Sequence, residues 1–424
     1  MGEREKSFDD VCMCTYTCAL AGASAFFAGI KDAVIVVNGP LWCYFFAMRH
    51  IEHTQPTISH RMICTQLDND AIVFGAEAYL HEVLAPYVAQ PPALLAIVSS
   101  CAAGLIGDDV EAIVRGAGIR CPIVVLDSSG LIGNFVDGWD KAAHSTLQAF
   151  PPMRQIPKAN AVNLIGMTSA YYNGENDAHE LVRLLEMAGY VVNAVLGCDM
   201  SAAELGDLTR AALNIVVHDE LGAESARLLE SICGMPYIAP LPPYGRTGTR
   251  RWFAEIGRAL PAPCGDAAEE EIGRVTREDF LRINECKSLW GELRYDTAFI
   301  RAPRSVAWGL AQALRTEWAD VCHLAVAAEA EEVYEAAIAD EILGETDAVR
   351  MQQVLSAMEG GLLLGSSNES AHIDPKGAQY LAVAYPVQDA LHLTESSFMG
   401  LRGARYIEEQ LWNGNILRRK ISLS

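Results

Sequence analysis

Ten apolar runs of four to six residues recur along the chain, and amphipathic stretches fill the gaps between them. The runs lie at 33–38, 94–99, 122–126, 161–165, 190–195, 213–217, 297–300, 323–327, 361–364 and 381–385. Helix-like patterns occupy 80–89, 108–116, 177–188, 221–233, 305–316 and 347–358. An alternation of this kind folds as parallel strands whose crossovers are helices packed on the sheet faces, because each element has one apolar side to bury. The crossovers are right-handed. The pattern restarts twice, first at PPMRQIPKANA (151–161), with its three prolines, and again across a long charged helix. The fold class expected is α/β, with three Rossmann-like domains: 1–155, 156–265 and 295–424, the last two joined by a connecting helix at 266–294.

A length of 424 residues exceeds one ordinary core, which agrees with several domains. The formal net charge of −22 argues against a nucleic-acid partner and against an anionic membrane surface, both of which need a basic face. It serves solubility and permits steering of a basic partner. No apolar run reaches the roughly 18 residues that span a membrane. Twelve cysteines and an acidic, polar start, MGEREKSFDD, point to a reducing compartment, the cytoplasm.

Several chemistries are missing. There is no G-x-x-x-x-G-K-[ST], so this chain should not itself hydrolyse ATP. Gly116-Ala117-Gly118 lacks the third glycine and the context of a dinucleotide fingerprint, and no G-x-S-x-G elbow is present. Three cysteines stand out by position: Cys18 opens a small-residue helix, CALAGASAFFAGI; Cys43 follows the turn Asn38-Gly39-Pro40; Cys101 follows the strand LLAIVSS. Each alone reads as easily as a core thiol. Loops beyond parallel strands converge on one sheet edge, so the three can meet there, and thiolates gathered at the ends of regular elements are how proteins hold iron–sulfur clusters. The turn before Cys43 is expected to aim backbone N–H groups at cluster sulfide. Cys12 and Cys14, in CMCTYTC, form an alternative ligand set or a regulatory pair. Cys64, Cys198 and Cys233 sit in apolar segments and read as core residues. Asp108 or Asp109 reads as a helix N-cap. His50, His53 and His60 read as a surface loop rather than a metal site, and Arg246, Arg250 and Arg251 as solvated surface rather than an anion site.

The residues around the cysteines carry a resemblance. Cys18, NGPLWC at Cys43, DNDAIVFGAE (68–77), SSCAAGLIGDDVEAIV (99–114) and SSGLIGNFVDGWD (128–140) resemble nitrogenase component 1 and its relatives. The similarity resumes, in the same order, at LPPYGRTGT (241–249), LLLGSSNES (362–370) and YPVQDALHLTESSFMGLRGARYIEEQLWN (385–413). The resemblance implies two similar subunits sharing an electron-relaying cluster, with Cys18, Cys43 and Cys101 as this chain's ligands. The implied cluster is an [8Fe-7S] P-cluster-like group, or alternatively a [4Fe-4S] cluster. Implied partners are an α-type catalytic subunit, in an α2β2 heterotetramer, and a homodimeric ATP-hydrolysing iron protein.

VVHDELGAE (216–224) lacks the cysteine, and YPVQD (385–389) the histidine, with which α-type subunits hold the catalytic cofactor. His392 instead matches the β-type pattern. Nitrogenase β subunits have histidine where Asn38 stands and lysine where the SSNES loop lies. Those departures favour a nitrogenase-like reductase, a methylthio-alkane reductase in particular, over a true nitrogenase. A cofactor-assembly scaffold of the same family and a small-molecule binder built of Rossmann-like lobes are the competing readings.

Overall fold

The computed structural model describes residues 17–328, 338–344, 347–374 and 377–423. Its strands form three sheets, and every strand pairing within them is parallel. The first sheet holds β1 (Ala33–Asn38), β2 (Met62–Cys64), β3 (Leu94–Ser99) and β4 (Ile123–Asp127), in the order β2-β1-β3-β4. The second holds β5 (Lys158–Ile165), β6 (Val191–Leu196), β7 (Ala211–Val216) and β8 (Tyr237–Ile238), in the order β6-β5-β7-β8. The third holds β9 (Arg294–Ala302), β10 (Asp320–Ala328), β11 (Glu341–Leu343), β12 (Leu362–Gly365) and β13 (Gln379–Ala382), in the order β11-β10-β9-β12-β13. The α/β class with parallel sheets expected from the alternation is the fold observed.

By contacts the chain divides into two compact units: Tyr16–Ala170 with Val191–Ala239, which carries the first two sheets, and Tyr171–Tyr190 with Pro240–Ser424, which carries the third. The stretch 156–265 is therefore shared between the units. Leu184 of the helix Gly174–Met187 packs with Ile272 and Val275 of the helix Ala267–Trp290 and with Leu401 of the C-terminal helix Gly400–Leu423. Their common apolar cluster draws 171–190 and 240–265 into the unit of the third sheet.

In the first unit the central strands β1 and β3 are apolar up to their last residue because both faces are covered. β3 is buried at all six positions and β1 at five of six. The helix Ala19–Ala28, ALAGASAFFA, is also buried along its whole length. Small residues let it lie against the helix Phe135–Ala149: a Cβ at Gly22 would fall 1.8 Å from the Phe135 carbonyl oxygen, and one at Gly138 only 1.9 Å from that of Ala19. Phe26 meets Trp139 edge-to-face, with ring centroids 5.2 Å apart. This packing fixes where the chain emerges at Cys18. No helix among the described residues is long and apolar enough to cross a membrane.

Candidate functional site

Register brings the site together. β1 and β3 run in parallel with Asn38 opposite Ser99, so the turn leading to Cys43 and the start of the Cys101 helix leave the sheet side by side. Cys43 lies in the first turn of the helix Leu41–Glu52, and Cys101 opens the helix Cys101–Ile106 behind its N-cap Ser100. Cys18 is the N-cap residue of the helix Ala19–Ala28. It is bridged to Asn134, and the N–H of Ala19 donates to the Gly133 carbonyl at 3.2 Å.

The segment 128–134, which follows β4, stitches two of the cysteines together. The Gly130 N–H donates to the Cys101 sulfur at 3.0 Å. A Cβ on Gly130 would stand 3.0 Å from the Cys18 Cβ, 3.6 Å from the Cys101 sulfur and 3.9 Å from the Cys18 sulfur. One small residue thus sees both thiols. Cys43 belongs to the same group: burial pushes its thiol up, the neighbouring Cys18 and Cys101 push it further, and a hydrogen bond from Ser100 opposes them. A Cys43 thiol whose charged form is disfavoured by burial and by two neighbouring thiols is one that positive charge would relieve. All ten described cysteines are free, and Cys18, Cys43 and Cys101 are exposed or half-buried. Cys12 and Cys14 lie outside the described residues.

The backbone donor found here comes from Gly130. The Asn38-Gly39-Pro40 turn, expected to offer its N–H groups outward, is turned inward. Its Gly39 N–H donates to the Thr65 hydroxyl at 2.9 Å, and its Gly39 carbonyl accepts from Leu67 N–H at 3.1 Å and from the Cys64 thiol at 3.3 Å. Cys64 ends a three-residue strand, β2, too short to announce itself in the sequence, and Thr65 follows it, yet the two hold the turn that carries Cys43. Cys64 is buried, as expected, but its sulfur works as a clamp.

The rim around the thiols is apolar and open. Trp42 is 70% exposed, Leu105 78% and Leu131 75%, and Phe45 and Phe46 join Trp42 with ring centroids 5.9–6.2 Å apart. These residues sit on the same three segments that carry or touch the cysteines. Exposed apolar surface of this kind marks a contact face.

Two expectations are corrected. His50 and His53 are not on a surface loop: His50 lies in the helix Leu41–Glu52, stacked on Phe135 with centroids 4.8 Å apart. Burial lowers His50 to about 3 and His53 to about 4, so both are neutral. His60 is exposed on a separate turn. Among the described residues no group of three or more His, Cys, Asp or Glu could hold a metal ion.

Arg246 is not solvated either. It is 8% exposed in the second unit, bonded to Asp279 at 2.7 Å and Glu408 at 2.8 Å, with Glu317 at 3.6 Å. Glu317 also accepts the Arg246 and Thr247 N–H groups at 2.7 and 2.8 Å, capping the helix Gly245–Ala259 where the dipole favours negative charge.

Other motif residues have local partners. Asp109 caps the helix Val110–Gly116 through the Ala112 N–H at 2.9 Å, while Asp108 accepts the Ala76 N–H. His392 contacts the Tyr406 hydroxyl at 3.1 Å and the Ser396 carbonyl at 2.9 Å. His218, in the segment 216–224, is buried and lowered to about 4 by that burial.

Parallel sheets, with three thiols brought together beyond the strand ends of the first, define an α/β protein. Residues 18–414 match the family described as nitrogenase component 1 type oxidoreductase, and the chain belongs to that family. It is 28% identical over 234 residues to the nitrogenase molybdenum-iron protein alpha chain of Clostridium pasteurianum, covering 52% of this chain and 43% of that one. It is 27% identical over 250 residues to the nitrogenase iron-molybdenum cofactor biosynthesis protein NifE of the same organism, covering 57% and 53%. One subunit of the light-independent protochlorophyllide reductase of Synechococcus sp. (strain JA-3-3Ab) is 23% identical over 287 residues, covering 62% and 56%. The chain thus spans about half the length of these curated relatives. A solved structure titled "Nitrogenase Cp1 at pH 5" superposes with a TM-score of 0.79 at 20% identity, covering 95% of this chain and 88% of that one, which shows the fold.

Proposed function

We propose that Cys18, Cys43 and Cys101 hold an iron–sulfur cluster shared with a partner chain, and that this chain is the β-type subunit of a nitrogenase-like reductase. The observation that carries the reading is the Gly130 contact, where one backbone position touches Cys18 and donates to Cys101 at 3.0 Å. The donor set fits such a group. Three sulfurs that together do not suit one ion can each bind a different iron of a cluster, and the exposed apolar rim suits a second chain that supplies the remaining ligands.

A bound cluster of this kind supplies one-electron transfer. This chain's residues hold its sulfur ligands, donate N–H to one of them and keep water away once the rim is covered. No acid or base is needed for that task. In this reading electrons arrive from a separate ATP-hydrolysing iron protein and leave for a catalytic cofactor in an α-type partner within an α2β2 heterotetramer. The reaction we favour is reduction of a methylthio-alkane C–S bond with release of methanethiol. It is supported by the departures at Asn38 and the SSNES loop, which serve internal bonds here: Asn38 accepts from the Thr65 hydroxyl at 3.2 Å, and Glu369 pairs with buried Arg301 at 3.0 Å.

Cys43→Ala and Cys101→Ala are expected to strip iron from the complex and stop turnover. Full iron content with full activity in both variants refutes the assignment. The match to a cofactor-biosynthesis protein favours a second reading, a cofactor-assembly scaffold. Transfer of a cofactor from this complex to another protein, without substrate reduction, would select it over the reductase. A β subunit of a true nitrogenase is the remaining alternative, separated from both by dinitrogen reduction.

A further inference from the structure

The segment 65–67 closes on the turn that carries Cys43 through three bonds. The Thr65 N–H donates to the Val37 carbonyl at 3.0 Å, the Gly39 N–H donates to the Thr65 hydroxyl at 2.9 Å, and the Leu67 N–H donates to the Gly39 carbonyl at 3.1 Å. Gly39 is thus held at both its polar backbone groups. Between Thr65 and Leu67, Gln66 adopts a φ of 56°, left-handed backbone that a residue other than glycine takes at a cost. Its N–H is satisfied by the Cys64 sulfur at 3.3 Å. Strain of this kind persists only where the surroundings over-determine it, and it gathers at functional sites.

Thr65 is buried, and its hydroxyl hydrogen has Asn38 Oδ1 at 3.2 Å and the Val37 and Gly39 carbonyls at 3.4 Å. Gly39 also presses on Ser100, the N-cap of the Cys101 helix: a Cβ on Gly39 would lie 2.4 Å from the Ser100 hydroxyl oxygen. The Ser100 N–H in turn donates to the Asn38 carbonyl at 2.9 Å. Beyond Gly39 comes Pro40, whose ring fixes φ and whose carbonyl accepts the Cys43 N–H at 3.0 Å. A short path of bonds therefore runs from the Thr65 hydroxyl to Cys43, and it touches the start of the Cys101 helix on the way.

We infer that Thr65 is a positioning residue for Cys43: its hydroxyl fixes Gly39 beside Ser100 and so keeps Cys43 and Cys101 placed to bind one cluster together. The inference rests on the cluster reading above. Without the hydroxyl, the buried Gly39 N–H loses its acceptor, a state that folded chains avoid. The turn then shifts and carries Cys43 with it, while Cys101 stays on the end of β3. Residues that orient a ligand from behind set metal affinity nearly as strongly as the ligands do.

The test is the rate of iron release from the anaerobically purified complex to an excess of a ferrous chelator. It is read together with visible circular dichroism of the sulfur-to-iron charge-transfer bands, which follow ligand geometry. Thr65→Val keeps the shape and removes the hydroxyl, and is expected to release iron about 10- to 100-fold faster and to alter the dichroism. Thr65→Ala is expected to act alike and keeps the test open where Thr65→Val does not fold. Thr65→Ser returns the hydroxyl and is expected to restore both readings. Thr146→Val deletes another buried hydroxyl of the same unit, bonded to the Ala142 carbonyl at 2.7 Å, and is expected to leave both unchanged. A cluster-bearing Thr65→Val or Thr65→Ala protein with the wild-type release rate and dichroism overturns this inference alone. Equal acceleration in Thr65→Val and Thr146→Val assigns the effect to a general loosening and overturns it as well. An iron-free wild-type complex overturns the cluster reading and this inference with it.

Discussion

Two regions of this molecule gather ionisable side chains, and they finish the task differently. In the unit of the third sheet, Arg246 meets Asp279, Glu317 and Glu408, and Arg405 meets Asp279 at 2.9 Å, so each of these charges has an opposite partner within the chain. In the unit of the first sheet, three thiols meet one another, the Gly130 N–H and an apolar rim left open to solvent. The first arrangement is complete as it stands and is structural. The second disfavours the charged form of Cys43 and exposes surface that a folded chain normally hides, as the proposed shared cluster would require. A perturbed cluster of titratable groups is therefore not by itself a functional site; whether its needs are met inside the chain is the better criterion.

The largest expected effect comes from breaking the complete region. Arg246→Met leaves three carboxylates around a buried gap and is expected to destabilise the cluster-free chain by about 3–5 kcal/mol in chemical denaturation. Iron bound per folded chain should not change. A second consequence concerns Asp177, fully buried in the same unit, whose carboxylate accepts the Phe398 and Met399 N–H groups at 2.6 and 2.8 Å. Burial raises it from 3.8 to about 7. The folded chain then binds a proton that the unfolded chain releases, so its contribution is full below about pH 4 and is lost as pH rises through about 7. Stability between those values should fall by at most about 1.4 kcal/mol per pH unit from this group. Asp177→Asn should flatten that slope, and an unchanged slope in the variant would show that other groups set it.

The open region should respond in the opposite way, through binding rather than folding. Trp42→Ser is expected to weaken association with the partner chain about tenfold or more, since exposed aromatic anchors carry much of an interface's energy. The isolated chain's stability should move by less than about 0.5 kcal/mol. Unaltered association measured by ultracentrifugation would remove the rim from the interface. A further effect is expected at Gly130→Ala. Its methyl would press on the Cys18 Cβ from 3.0 Å, a strain of about 1–3 kcal/mol. We expect it as reduced iron per complex and not as unfolding.

The long elements of the fold are legible in the sequence because they are continuous apolar runs. β1 and β3 match their runs to the residue, and β5, β6, β7, β9 and β10 match with ends shifted by one to three residues. The three strands without a matching run, β2, β8 and β11, are two or three residues long and each lies at a sheet edge. A run that short shows no period, and an edge strand needs neither apolar face in full. That gap matters, because β2 ends in Cys64 and leads into Thr65, the clamp on the Cys43 turn. Arg246 and His50 mislead for a related reason. A charged or imidazole group looks like surface until its partners are in place, and those of Arg246 are up to 162 residues away. Convergence of Cys18, Cys43 and Cys101 can be reasoned from parallel topology. The role of SSGLIGN in joining two of them cannot, since it depends on how the chain after β4 folds back.

The most direct test of the central claim is native mass spectrometry of the tagged protein, purified without oxygen from its own host, with iron and acid-labile sulfide counted on the same sample. The account predicts an assembly of two different chains carrying iron–sulfur mass that is lost in Cys101→Ala. An iron-free monomer would contradict it.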